Sequence, residues 1–149
     1  MILVFLQNAY GVEEGYVPSY RKKSFRLCHT SKRLAEMLPL GERIEIRNCN
    51  PEIGDTASSF FKADRIYMLR ELSLLQPDIV LACGTEAKEA FGILKKKGLK
   101  FKNIVYAPHP AWRQLSKTKT KEIQEELYAI LEQDFQKYTL YNQRRKRQY

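Results

Sequence analysis

Three short stretches of the chain are apolar at most positions, a fourth alternates, and helical spacing fills the gaps between them. Residues 1–7 (MILVFLQ), 78–83 (DIVLAC) and 103–107 (NIVYA) are continuous runs of strand length. Residues 43–48 (RIEIRN) alternate instead, with Ile44 and Ile46 on one face. Continuous apolar strands separated by helical stretches are the mark of a parallel sheet covered on both faces. Thr30 or Ser31 can cap a short helix carrying Leu34, Met37 and Leu38, stopped near Pro39 and Gly41. A longer helix is predicted from about Thr56 to Leu75, with Ile66, Leu69 and Leu72 on one stripe, ending before Pro77. Thr85 can cap a third that stops at Gly98, and a fourth runs from about Lys119 to Tyr138 with Ile123, Leu127, Ile130 and Leu131 at helical spacing. The predicted fold class is α/β, a three-layer αβα arrangement around a four-stranded, mainly parallel sheet.

At 149 residues this is one domain. Residues 1–141 are expected to form it, and the polar, basic tail 142–149 is expected to be disordered in isolation. No run reaches the roughly 18 apolar residues of a membrane span. The apolar start has no basic segment before it and no small-residue cleavage site, so a strand is expected there, not a signal peptide. A soluble, cytoplasmic monomer without membrane contact is the expectation.

Charge changes the picture. The formal net charge is +9, and removing Arg144, Arg145, Lys146 and Arg147 still leaves +5, so the body of the chain is basic as well as its tail. A compact basic protein favours polyanions, because each phosphate it neutralises releases a condensed counterion. Three cysteines, Cys28, Cys49 and Cys83, cannot all pair within the chain and none lies in a C-x-x-C, which argues against a disulfide framework or a four-thiolate metal site. No P-loop, G-x-G-x-x-G or H-E-x-x-H is present, so no metal or cofactor is expected.

An open parallel sheet binds ligands outside the carboxyl ends of its strands. That rule selects 7–11 (QNAYG), 48–51 (NCNP), 83–86 (CGTE) and 107–113 (APHPAWR). Asn8 and Asn48 follow apolar strands, where either can simply cap a turn. His109 stands between two prolines, which exclude it from a helix or a central strand and place it on a stiff loop. Trp112 offers a face for stacking, and Arg113 a guanidinium for phosphate or base.

In order and spacing these four segments resemble the uracil-DNA glycosylase superfamily over about residues 1–131. Its members read G-x-N-P-G or G-Q-D-P after the first strand, Asn after the second, V-x-A-L-G-x-x-A at a later strand, and H-P-S-P after the last. Here those places hold Leu6-Gln7-Asn8-Ala9-Tyr10-Gly11, Ile44 to Asn48, Ile79 to Ala87, and His109-Pro110-Ala111-Trp112-Arg113. Asn-Cys-Asn-Pro at 48–51 is also similar to the Asn-x-Cys-Pro wording of the single-strand-selective group. The resemblance implies Asn8 as the residue that positions the attacking water and His109 as the donor to the departing base oxygen. It implies Gln7, Tyr10 and Asn48 as base-binding, with Trp112 and Arg113 contacting DNA at the place of a wedge. The implied activity is that of a monofunctional DNA glycosylase that excises uracil or a related deaminated or modified base and leaves an abasic site. Leu6 replaces the usual Gly, Ala9-Tyr10 replaces Pro-Gly, and Ala111-Trp112 replaces Ser-Pro. Those departures leave open a glycosylase-like module that binds DNA or a modified base without cutting; a third alternative is a nucleotide- or base-handling enzyme on the same sheet.

Overall fold

The computed structural model describes residues 1–7, 9–10, 17–19, 29–56 and 59–147, with the backbone alone described at 9–10 and from 134 onward. Strands β1 (Ile2–Leu6), β3 (Ile44–Asn48), β5 (Ile79–Cys83) and β6 (Ile104–Ala107) form one sheet in the order β3-β1-β5-β6. Every pairing in it is parallel, from Ile2↔Ile44 and Ile2↔Ile79 to Val80↔Ile104. Two further short strands, β2 (Ala9–Tyr10) and β4 (Ile53–Gly54), pair in parallel beyond the ends of β1 and β3. The four continuous or alternating runs thus become the four strands of an αβα sandwich.

Helices α1 (His29–Met37), α2 (Arg65–Leu75), α3 (Thr85–Lys96) and α4 (Lys117–Arg147) make the outer layers. One core joins Ile2, Val4, Ile46, Ile79 and Leu81 of the sheet to Leu34 and Met37 of α1 and Ile123 and Leu127 of α4. The other joins Leu3, Phe5, Val80 and Ala82 to Met68 and Leu72 of α2 and Ala87, Ala90 and Phe91 of α3. The chain moves from β1 outward to β3, then reverses across β1 to β5 and β6. A right-handed crossover forces a helix to change face when the direction reverses, which is why α1 lies on one side and α2 and α3 on the other. The reversal sits between β1 and β5.

Helix boundaries depart from the sequence reading in informative ways. Helix α1 is described from His29, and Thr30 and Ser31 lie within it and do not cap it. Helix α2 is shorter than expected. Asp64 caps it by accepting the Tyr67 N–H at 3.1 Å, and Gln76 closes it in the left-handed region. The inward stripe is Met68, Leu72 and Leu75; Ile66 is 76% exposed. Met68→Ala is therefore expected to cost about 2–5 kcal/mol, and Ile66→Ser to stay within about 0.5 kcal/mol. Equal losses for the two in denaturant titrations would contradict this placement. Helix α4 starts at Lys117, where the Ser116 hydroxyl accepts the Lys119 N–H at 3.1 Å, and continues to Arg147. The segment read as a disordered tail from Asn142 is thus helical as far as Arg147. No helix among the described residues is long and apolar enough to cross a membrane.

Candidate active-site cleft at the switch point

A cleft of about 840 Å³ opens at the carboxyl ends of β1, β5 and β6, beside the point of reversal. Gln7 enters it from the end of β1, Cys83 to Glu86 from β5 and the start of α3, and Tyr106 to His109 from β6. Phe60, Lys88, Trp112 and Lys119 complete the walls. Three predicted site residues, Gln7, His109 and Trp112, are therefore brought together.

The local sequence explains how His109 is held. His109-Pro110-Ala111-Trp112 closes a tight turn, with the Trp112 N–H donating to the His109 carbonyl at 2.9 Å. Pro110 stands at the second position of that turn, where its fixed φ is already correct. The Ala111 N–H donates to His109 Nδ1 at 3.0 Å. A backbone N–H can only donate, so Nδ1 carries no hydrogen and the neutral ring bears its hydrogen on Nε2. Burial lowers the His109 pKa below its ordinary 6.5, which favours this neutral form. The result is an imidazole locked as an Nε2–H donor.

Gly84 is the floor under that ring. A β-carbon there would lie 3.4 Å from His109 Cβ and 3.6 Å from Cδ2, ordinary contact, so space is not the obstacle. Its backbone is, with φ 89° and ψ 174°, a region open essentially to glycine alone. Gly84→Ala is expected to lose about 1–3 kcal/mol of stability. Thermal melting tests it, and an unchanged Tm would refute the strain.

Two side chains fix the segment that bears Phe60. Asn50 Nδ2 donates to the Lys62 carbonyl at 2.7 Å, and the Ala63 N–H donates to Glu86 Oε2 at 3.0 Å. The Asp64 N–H adds a bond to the Cys49 carbonyl at 2.9 Å. Cys49 and Cys83 are buried free thiols, and burial pushes the Cys49 pKa up to about 12 and that of Cys83 higher still. Both act as small apolar residues here. Among the described residues, no three His, Cys, Asp or Glu side chains gather as metal ligands would.

The other predicted residues lie elsewhere. Asn48 is buried at the end of β3, opposite Leu6 in register, and does not line the cleft. Its neighbours follow β1 closely, since the Cys49 N–H donates to the Leu6 carbonyl and the Asn50 N–H to that of Gln7. Arg113 is exposed outside the cleft wall. Tyr10 has its backbone in β2, its side chain lies outside the described residues, and Asn8 lies wholly outside them. Phe60, Lys88 and Tyr106 were not foreseen as site residues, and Glu86 only within the strand-end segment 83–86. No family model, curated relative or solved structure matches the chain.

Proposed function

We propose that this protein is a cytoplasmic, monofunctional DNA glycosylase that hydrolyses the N-glycosidic bond of uracil or a related deaminated or modified base. The observation that carries the reading is the neutral His109, fixed as an Nε2–H donor by the Ala111 N–H, in a cleft at the topological switch point. Bond breaking leaves negative charge on the departing base and positive charge on the sugar. A donor already oriented at the base oxygen stabilises that charge with no reorganisation at the moment of reaction. A neutral donor suits this role, because it polarises the oxygen without repelling the developing sugar cation. The base must first leave the stack, at a cost of a few kcal/mol, and a basic cleft with aromatic walls offsets that cost.

Asn8 follows Gln7 directly and takes the water-positioning role that the resemblance implies. An amide both donates and accepts, so it can orient water without acting as a strong base. Gln7, Tyr10 and Asn48 would read the base, and Trp112 and Arg113 would contact DNA. The hydrolysis draws on no cofactor or metal, and the protein would act as a monomer.

A second reading has one observation in its favour. Asn48 is buried and stays out of the cleft wall, which suits a module that binds DNA or a modified base without cutting. Alkali-labile sites on an oligonucleotide panel decide between the two. The panel carries uracil, hydroxymethyluracil and hypoxanthine in single and double strands. Product on any member, suppressed by Asn8→Ala and His109→Ala, supports the glycosylase. Salt-sensitive binding with no product on any member selects the non-cutting module, and no binding at all removes both.

A further inference from the structure

We propose that the mouth of the cleft is a platform for single-stranded DNA, on which Phe60 and Trp112 stack bases while Lys88 and Lys119 neutralise backbone phosphates. The identity of the polymer as DNA rests on the function proposed above; the preference for an unpaired strand comes from the cleft itself.

The volume is the first argument. At about 840 Å³ the cleft lies near the top of the range of about 300–1,000 Å³ for ligand sites, with far more room than one pyrimidine fills. The aromatic exposure is the second. Phe60 is 56% and Trp112 48% exposed, although both line the cleft. Neither sits on loose chain: hydrogen bonds between residues 62–64 and Asn50, Glu86 and Cys49 hold the segment after Phe60, and the His109 turn holds Trp112. Two aromatic rings kept open to solvent by pinned backbone form a stacking surface prepared in advance.

Charge completes the picture. Lys88 is exposed and has no carboxylate partner among the described residues. Among the described residues Lys119 pairs only with Glu122, at 3.9 Å and with both side chains half exposed or more, a pairing that phosphate displaces readily. Glu86, the acidic side chain in the wall, turns Oε2 to the Ala63 N–H. Bases in a duplex cover one another's faces, whereas an unpaired strand presents them, and aromatic stacking with backbone neutralisation is how such strands are held.

Fluorescence anisotropy of labelled, undamaged oligonucleotides tests the platform, read at several salt concentrations with single-stranded and duplex forms of one sequence. The single strand is expected to bind at least tenfold more tightly than the duplex. Phe60→Ala and Trp112→Ala should each weaken single-strand binding about tenfold, and Phe60→Tyr should preserve it. Lys88→Ala and Lys119→Ala should each flatten the log–log salt dependence by about 0.7. Trp112 is the sole tryptophan, so quenching of intrinsic fluorescence reports base stacking at this place directly. All four side chains are exposed, and far-ultraviolet circular dichroism verifies that the variants fold. Equal affinity for duplex, or affinities within twofold of wild type for both aromatic variants, overturns the proposal. Because these oligonucleotides hold no excisable base, absence of abasic product elsewhere leaves the platform result intact. Abasic product together with unaltered binding by both aromatic variants removes the platform alone.

Discussion

His109→Ala is expected to reduce abasic-site formation about 10²–10³-fold, equivalent to roughly 2.7–4 kcal/mol of barrier, the usual loss when one oriented donor to a developing oxyanion is removed. The effect belongs in the chemical step, so single-turnover rates should show it while DNA affinity changes little. His109→Gln should recover part of the rate, because its amide can still present an N–H. The pH dependence follows from the same geometry. The folded protein holds the His109 pKa below 6.5 by burying the ring. The unfolded chain takes up this proton near 6.5 and the folded chain only at lower pH, so stability is full above 6.5 and declines as pH falls towards the folded pKa. Protonation also places a hydrogen on Nδ1, opposite the Ala111 N–H that it accepts at 3.0 Å. An acid limb in the rate profile is thus expected below pH 6.5 and should vanish in His109→Gln. A limb that persists in that variant would assign it to another group.

The largest stability effect is expected at Phe91. This ring is fully buried on α3 and meets Phe5 of β1 with centroids 5.6 Å apart and planes inclined at 60°. Truncating such a residue removes its transfer free energy and leaves a cavity, so Phe91→Ala should cost about 3–5 kcal/mol in chemical denaturation. Phe91→Leu keeps most of the volume and should cost clearly less. A double-mutant cycle with Phe5→Leu should find about 0.5–1.5 kcal/mol of coupling, from the tilted ring contact itself. A loss below 1 kcal/mol for Phe91→Ala would mean that α3 does not depend on this contact. Thr85, Glu86 and Lys88 ride on the same helix, so loosening α3 also loosens one wall of the cleft.

Strands β1 and β5 were legible in the sequence because strands buried on both faces are apolar at almost every position, and β3 because its Ile44 and Ile46 alternate with polar residues. Helix α2 was harder for a definite reason. Its sequence, RIYMLRELSLL, is apolar on more than one side and supports both an Ile66–Leu69–Leu72 stripe and a Met68–Leu72–Leu75 stripe. Only the sheet beneath chooses the second. The start of α2 was invisible too, since residues 59–64 stay outside the helix, with Lys62, Ala63 and Asp64 bonded to Asn50, Glu86 and Cys49, and Glu86 lies 23 residues away from Ala63. Phe60 escaped notice for the same cause. His109 was legible as a stiff loop residue between prolines, but its hydrogen-bonded state depends on the Ala111 N–H, which only folding brings to Nδ1.

The parallel order β3-β1-β5-β6 also governs when this fold can come into being. β1 is the earliest strand in the sequence and yet an interior one, and its two neighbours pair with Ile2 through Ile44 and Ile79. Neither flank of β1 can be hydrogen-bonded until distant chain has been made and has closed long loops, whose entropy is lost before any contact compensates. On the ribosome, one flank of Ile2 to Leu6 must therefore stay unpaired until β5 emerges. Until then its open edge is a place where another chain can pair.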